Sequence, residues 1–324
     1  MDADTLPYAG KLAALIASLI WSCSISIYKA HGQGVPAQTL NLYKLLVALV
    51  GFSVVLSCTY GLYGMGYVSN MPHFPSSWSK AGWLMFSGVI GLTLGDTFFF
   101  VSIRHLGAAL SAALQCLTPP LNALIDWLYF DKPMTSIQLI GLTVIVVSVA
   151  GVILAGRQGR LALKETHNWT LGLIAAICSA LCQAVAYAIT GELLKGENIF
   201  VCAILRITPA MLILALFAVF TATGRQGVTI MINNPRKLRY LAIAAIIGTV
   251  IGISFLSYGF QHEVTGIVST LSTTYPIWVI PVAAFFLKEH PTPMQIVCTI
   301  LAIVGIALLM IPTEIWLNWL PFQS

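Results

Sequence analysis

Along the chain, long apolar runs alternate with short polar connectors. The runs fall at about 11–28, 37–57, 81–103, 108–130, 136–154, 169–194, 199–222, 239–260, 265–286 and 292–311. Bilayer hydrocarbon is about 30 Å thick and is crossed by a helix of roughly 20 apolar residues. Backbone groups in lipid must be satisfied within the segment, so each run is predicted as a spanning helix. The tight connectors carry breakers or charges: His31 to Pro36, Arg104-His105, Asp131 to Pro133, Glu192 to Glu197, His262-Glu263 and Lys288 to Pro291. Two connectors, 58–80 and 223–238, read as longer, and a polar stretch from Arg157 to Asn168 separates the fifth and sixth spans. The predicted units are 1–155, a linker over 156–168, and 169–324.

The two units repeat one another. A shift of 157 places the third to fifth spans over the eighth to tenth without a gap. Gly91 then falls on Gly248, Gly95 on Gly252, His105 on His262, Leu114 on Leu271, Pro119 on Pro276, Thr135 on Thr292 and Gln138 on Gln295. In the second and seventh spans Lys44 matches Arg206 at a shift of 162. Five spans are an odd number, so consecutive copies enter the membrane in opposite senses. The expectation is an all-α membrane protein of ten transmembrane helices, built as two inverted five-helix repeats, an arrangement common among secondary transporters.

The residues carrying that repeat resemble a known family. Gly91, Gly95, Asp96, Thr97 and Phe98, then Ser102 to Ala109, then Leu117-Thr118-Pro119 look like the EamA-type repeat of the drug/metabolite transporter superfamily. So do Thr274-Tyr275-Pro276, Leu287 to His290 and Thr292 in the second copy. The resemblance covers essentially the whole chain. One departure is the acidic residue after the proline helix, Glu289 in the second copy but Asp131-Lys132 in the first. The resemblance implies a carrier of small organic metabolites, with spans 1–4 and 6–9 around a central cavity and spans 5 and 10 outside it.

Composition agrees with lipid as the solvent. Apolar residues make up 58% of the chain and charged residues 8%, with 16 basic against 11 acidic side chains. Soluble domains carry about 25% charged residues. The net charge of +5 is scattered through connectors, whereas a nucleic-acid protein gathers its cations on one face. The seven Cys lie almost entirely in apolar runs without metal-ligand spacing, and Cys178 and Cys182, one turn apart, read as small packing groups. The first residues, Met1-Asp2-Ala3-Asp4, are acidic where a secretory signal is basic, so the first run reads as a retained span.

Charges at membrane depth are costly and point to function. Counting 1.5 Å per residue puts Lys44 and Asp96 about 10 Å in from the face bearing the first connector. Trp21 and Gln115 reach the same layer. Arg206 lies equally far from the opposite face, with Gln183, Tyr187, Ser272, Thr273 and Tyr275 as neighbours. The candidate substrate-binding set is therefore Lys44, Arg206, Trp21, Asp96, Gln115, Gln183, Tyr187 and Tyr275. Lys44 and Arg206 would attract a carboxylate, and Asp96 would neutralise Lys44 or release it on protonation. The competing structural reading is a static Lys44–Asp96 staple with Arg206 snorkelling to the surface. Asp126 and Glu289 read as structural, the His105/His262 pair as interfacial packing, and Phe98-Phe99-Phe100 mostly as lipid contact. The paired Gly-x-x-x-Gly sets predict close helix approach, and Pro119-Pro120 and Pro276 predict interrupted helices.

The functional expectation is a secondary carrier, an exporter of small metabolites such as amino acids, working by alternating access in the cell (inner) membrane with a coupling proton. Its partners would be a small-molecule substrate and the lipid bilayer, with no nucleic acid, no cofactor and no metal. No phosphate-cradling Gly-x-x-x-x-Gly-Lys loop is present. An intramembrane enzyme or a non-transporting receptor or scaffold are the rival classes. Against the enzyme, Leu94-Gly95-Asp96 lacks the preceding Gly and the second carboxylate at matching depth that an aspartyl dyad needs. Orientation divides two rules. With the N-terminus inside, the inner segments carry Lys11, Lys80, Lys132 and Lys195 and the outer ones carry ten cations, so positive-inside counting places both termini outside. The family pattern places both inside.

Overall fold

The computed structural model describes residues 8–65, 72–129, 136–163, 168–263, 265–288 and 291–309, and among these the ordered elements are all helical. The first five-helix unit is α1 (Ala9–His31), α2 (Ala37–Gly64), α3 (Trp78–Leu106), α4 (Ala108–Ile125) and α5 (Ser136–Leu163). The second is α6 (Trp169–Leu193), α7 (Ile199–Phe220), α9 (Pro235–His262), α10 (Ile267–Phe286) and α11 (Pro293–Leu309), with a short helix α8 (Ala222–Ile232) between α7 and α9. Nine of these are long and apolar enough to cross a bilayer, and α11 supplies the shorter tenth. The chain is thus a ten-helix membrane protein of two inverted five-helix repeats.

Local chemistry fixes the helix starts. Asn198 Oδ1 accepts the Phe200 and Val201 N–H groups at 3.1 Å each, and Asn168 Oδ1 accepts that of Leu171 at 3.0 Å. Thr292 and Gln295 form a reciprocal capping box at the start of α11, with the Thr292 N–H donating to Gln295 Oε1 at 2.7 Å and the Gln295 N–H to Thr292 Oγ1 at 3.2 Å. That box gives a physical reason for two of the positions matched between the repeats. Gly107 joins α3 to α4 alone, at φ +91°, a conformation L side chains resist.

The repeats are interleaved. α1 packs along α9 and α10 of the other unit, and α6 packs along α3 and α4 in the same way. α2 lies against α7, and α5 against α11 through Ile145, Val149, Val152, Cys298, Ala302 and Ile306. The Gly-x-x-x-Gly sets make the crossings possible. A Cβ at Gly91 would lie 2.7 Å from the Ala186 Cβ, and one at Gly248 would lie 2.6 Å from the Ser24 Cβ.

Those glycines also sit where α3 and α9 open into π-helical turns, Val89–Gly95 and Ile246–Ile251. The two segments correspond at the shift of 157. A π-turn leaves carbonyls without their usual partners and recurs at functional sites. Asn41, fully buried on α2, answers the first of them by donating through Nδ2 to the Leu92 carbonyl at 2.7 Å and to Thr97 Oγ1 at 2.9 Å.

The proline interruptions fall as the sequence suggests. α4 tightens to a 3₁₀ turn at Gln115–Leu117 before Thr118-Pro119, and α10 breaks at Thr273-Thr274 before Pro276. Proline has no N–H and disfavours helical geometry in the residue before it. Three boundaries differ from the sequence reading. α2 runs on to Gly64, and α5 continues through Leu163 into the stretch read as linker. The connector at 223–238 contains α8, whose Gly224-Arg225-Gln226-Gly227 run is too polar to register as a span but is capped by Thr221 Oγ1 on the Gly224 N–H at 3.0 Å.

Candidate functional site

Helical periodicity aims one stripe of each of eight helices at a common space. On α1 the stripe is Trp21, Ser24, Ile25 and Tyr28; on α6 it is Ser179, Gln183 and Tyr187; on α3 it is Leu92, Asp96, Phe99 and Phe100. With residues from α2, α4, α7, α9 and α10 they enclose a cavity of about 140 Å³. One water needs only about 10–15 Å³ on that measure, so the space takes on the order of ten waters or a small metabolite. Neither α5 nor α11 contributes to the wall. All eight residues singled out from the sequence line this one cavity: Trp21, Lys44, Asp96, Gln115, Gln183, Tyr187, Arg206 and Tyr275.

The inverted symmetry extends to hydrogen bonding. Trp21 Nε1 donates to the Gly248 carbonyl at 2.8 Å, and Gln183 Nε2 donates to the Gly91 carbonyl at 3.4 Å. Trp21 and Gln183 correspond at the shift of 162, so each repeat's first helix holds the π-turn of its partner. The aromatic contacts do not follow the repeat, since Tyr28 and Phe100 correspond to Thr190 and Ser257. Tyr28 meets Phe100 edge-on with ring centroids 4.9 Å apart, and Tyr187 meets Phe260 at 5.8 Å. Tyr275 packs against Trp21 at 6.2 Å.

Charge breaks the symmetry. Lys44, 6% exposed, is ion-paired through Nζ to Asp96 Oδ2 and lies 5.6 Å from the Phe100 ring centre. Asp96 Oδ1 accepts Gln183 Nε2 at 3.0 Å. The staple weighed at the sequence level therefore forms. The other half of that reading is corrected: Arg206 does not snorkel, being 6% exposed and part of the cavity wall. Its Nε donates to Ser87 Oγ at 3.1 Å, and among the described residues no carboxylate reaches its guanidinium. The close seat of α7 on α3 explains the depth, since a Cβ at Gly88 would lie 2.0 Å from the Arg206 carbonyl oxygen.

Other readings are also revised. Phe99 and Phe100 face the cavity, not lipid, because the π-turn just before them rotates α3 relative to an ideal helix. Tyr28 was not singled out, although its place seven residues after Trp21 on one face could have found it. His262 stacks on Tyr258 with centroids 4.0 Å apart, and neither His105 nor His262 lines the cavity. The side chain of Asp126, and Asp131 and Glu289, lie outside the described residues. Among the described residues no cluster of His, Cys, Asp and Glu is arranged to hold a metal.

A second ionic cluster bridges the repeats on the face bearing the α6–α7 turn. Glu197, 5% exposed, accepts Lys80 Nζ and Ser76 Oγ at 2.9 Å each through Oε1. His73 Nδ1 lies 3.8 Å from Oε2. Burial pushes the Glu197 carboxyl up, but the hydrogen bonds from Lys80 and Ser76 outweigh it and hold the group below its ordinary value of 4.5.

The EamA-like transporter family matches residues 8–154 and 170–311, one match for each repeat. The chain belongs to the EamA-like transporter family. No curated protein matches its sequence. One solved crystal structure of a protein, 14% identical, matches with a TM-score of 0.60 over 93% of this chain and 95% of that one. At that identity the likeness is one of fold. Membership makes the chain a multi-pass membrane transporter of the drug/metabolite type, and the family is one of carriers, not enzymes.

Proposed function

We propose that this EamA-family protein exports small carboxylate-bearing metabolites, amino acids first among them, by alternating access across the cell (inner) membrane in exchange for a proton. One observation carries the reading: Arg206 is buried in the cavity wall without an acidic partner among the described residues. A buried charge without a partner is costly, and the natural completion is an anion delivered by the substrate. The planar guanidinium matches a carboxylate through two parallel hydrogen bonds.

Asp96 supplies the second pole. Lys44 holds one of its oxygens and Gln183 the other, so this carboxylate is neutralised within the wall. A substrate ammonium or a proton neutralises it equally well. Ammonium and proton thus compete for Asp96 while Arg206 grips the carboxylate. A proton entering from outside displaces the ammonium, which is the exchange an exporter needs. The paired Trp21 and Gln183 contacts, each holding the other repeat's π-turn, support rocking of two interleaved units about the chamber.

Uptake of an amino-acid panel into inverted vesicles containing the full chain tests this. Arg206→Gln is expected to lose transport of carboxylate-bearing substrates by at least about 30-fold, from the roughly 2–5 kcal/mol of a desolvated charge pair. Wild-type flux in that variant would overturn the proposal.

A further inference from the structure

Two hydroxyls set Arg206 apart from its counterpart in the first repeat. Ser87 on α3 and Thr190 on α6 are both fully buried, and neither lines the chamber. Ser87 Oγ donates to the Leu84 carbonyl at 2.7 Å, and it accepts the Arg206 Nε–H at 3.1 Å and the Thr190 hydroxyl at 3.2 Å. A serine hydroxyl has one proton and two lone pairs, so these three bonds use all of it and fix its direction. Helices α3, α6 and α7 thus meet at one oxygen. Arg206 has N–H groups on Nε and on both η nitrogens. Ser87 takes the first, and among the described residues the η nitrogens make no hydrogen bond. A Cβ at Gly91 would lie 3.8 Å from Nη2, so a longer side chain there would crowd that end of the fork. At the shifts that relate the repeats, Ser87 corresponds to Ala244 and Thr190 to Tyr28. Ala244 has no side-chain acceptor, and Lys44 closes on Asp96 instead. An acid holding Arg206 would cancel its charge. A serine directs the guanidinium and leaves the charge in place.

We infer that Ser87, locked by Thr190, is the positioning residue that holds the Arg206 guanidinium end-on to the chamber. A guanidinium offers a carboxylate two forked edges, the pair of η nitrogens or Nε with one of them. Ser87 occupies the second edge. The carboxylate is therefore taken by Nη1 and Nη2, and Nε stays with the protein. Holding the fork in this pose before a ligand arrives spares the side-chain freedom that binding would otherwise remove. The inference rests on the carboxylate reading proposed above and deepens it by naming the edge that the ligand meets and the residue that selects it.

The test reads chamber occupancy on the purified full chain. Ile253→Cys places a thiol on the chamber wall. Its modification by uncharged methyl methanethiolsulfonate is timed by mass spectrometry of the peptide carrying that residue. Acetate, isobutyrate and benzoate are the protecting probes, each against its neutral amide. Ser87→Ala is expected to raise the half-protecting concentration of the acids about ten-fold, the loss of one hydrogen bond to a charged group, and to leave that of the amides unchanged. Thr190→Val keeps the shape and the Arg206–Ser87 bond but unlocks the hydroxyl, and is expected to raise it about two- to three-fold. In the Arg206→Lys background there is no Nε to hold, so Ser87→Ala is expected to change acid protection less than about two-fold. A loss of packing would act equally in both backgrounds and on both kinds of probe. No acid preference in the parent protein, or one that survives Arg206→Gln, would overturn the carboxylate reading and this inference with it. An acid preference that Arg206→Gln abolishes and Ser87→Ala leaves intact would overturn this inference alone. So would equal losses for acids and amides, or an equal effect of Ser87→Ala with and without Arg206→Lys.

Discussion

Lys44 and Arg206 occupy corresponding places in the two repeats, are equally buried, and line the same chamber, yet they are in opposite electrostatic situations. Lys44 is closed into an ion pair with Asp96, and Arg206 meets no acid among the described residues. Ile253 stands where a second Asp would complete the symmetry. A symmetric frame thus carries a polar chamber with one satisfied end and one waiting end. In the transport reading proposed above, the frame supplies the motion and the broken symmetry supplies the binding pole.

That contrast predicts opposite responses to removing a charge. Asp96→Asn strands the Lys44 ammonium in the wall, and a buried pair broken at one partner costs about 3–5 kcal/mol. The thermal midpoint of the purified protein should fall sharply, and the pH dependence of flux should vanish. The double variant Lys44→Met/Asp96→Asn should recover most of the lost stability, since replacing a whole buried pair by apolar groups is often neutral. Arg206→Met removes a charge already unpaired, so its midpoint should hold or rise while transport is lost. A drop in stability equal to that of Asp96→Asn would show that Arg206 has a partner and would end the asymmetry argument.

A smaller effect separates the seats of the two helices. Gly88 lets α3 meet the α7 backbone at Arg206, whereas its counterpart at the shift of 157 is Ala245, fully buried. Gly88→Ala drives a methyl into that backbone, an overpacking cost of about 1–3 kcal/mol or more, and should displace the guanidinium and weaken substrate binding. Ala245→Gly relieves nothing and should cost only about 0.5–1 kcal/mol. Comparable losses in the two variants would mean that the close approach at Gly88 does not set the position of Arg206.

The sequence made much of this legible because lipid is a strict solvent. Span count, the odd-numbered repeat and the depths of Lys44, Asp96 and Arg206 follow from rise per residue and the cost of buried charge. What it could not show depends on events between helices. The π-turns at Val89–Gly95 and Ile246–Ile251 leave no mark beyond glycine pairs, and they turn Phe99 and Phe100 toward the chamber. Asn41 reads as a lone polar residue until the Leu92 carbonyl it serves is in place. Depth counting pairs Lys44 with Asp96 in one layer, but it does not show that Gln183 from the other repeat reaches the same carboxylate.

The Glu197 cluster sharpens the same lesson outside the membrane, where an ion pair has water as a competitor. Lys80 is about a third exposed, so the salt bridge itself contributes about 1 kcal/mol or less. Glu197 is held below its ordinary value of 4.5 in the folded protein. A lowered carboxylate stabilises the fold above the unfolded value and loses that contribution as pH falls through the folded one. The thermal midpoint of the wild type should therefore decline as pH drops below about 4.5. Glu197→Gln keeps an oxygen for Ser76 but cannot titrate, so its midpoint should start slightly lower at neutral pH and decline less over that interval. Because Ser76 and Lys80 belong to the first repeat and Glu197 to the second, this bond ties the two units together on one face. Parallel acid profiles for wild type and Glu197→Gln would show that the carboxylate adds nothing to that closure.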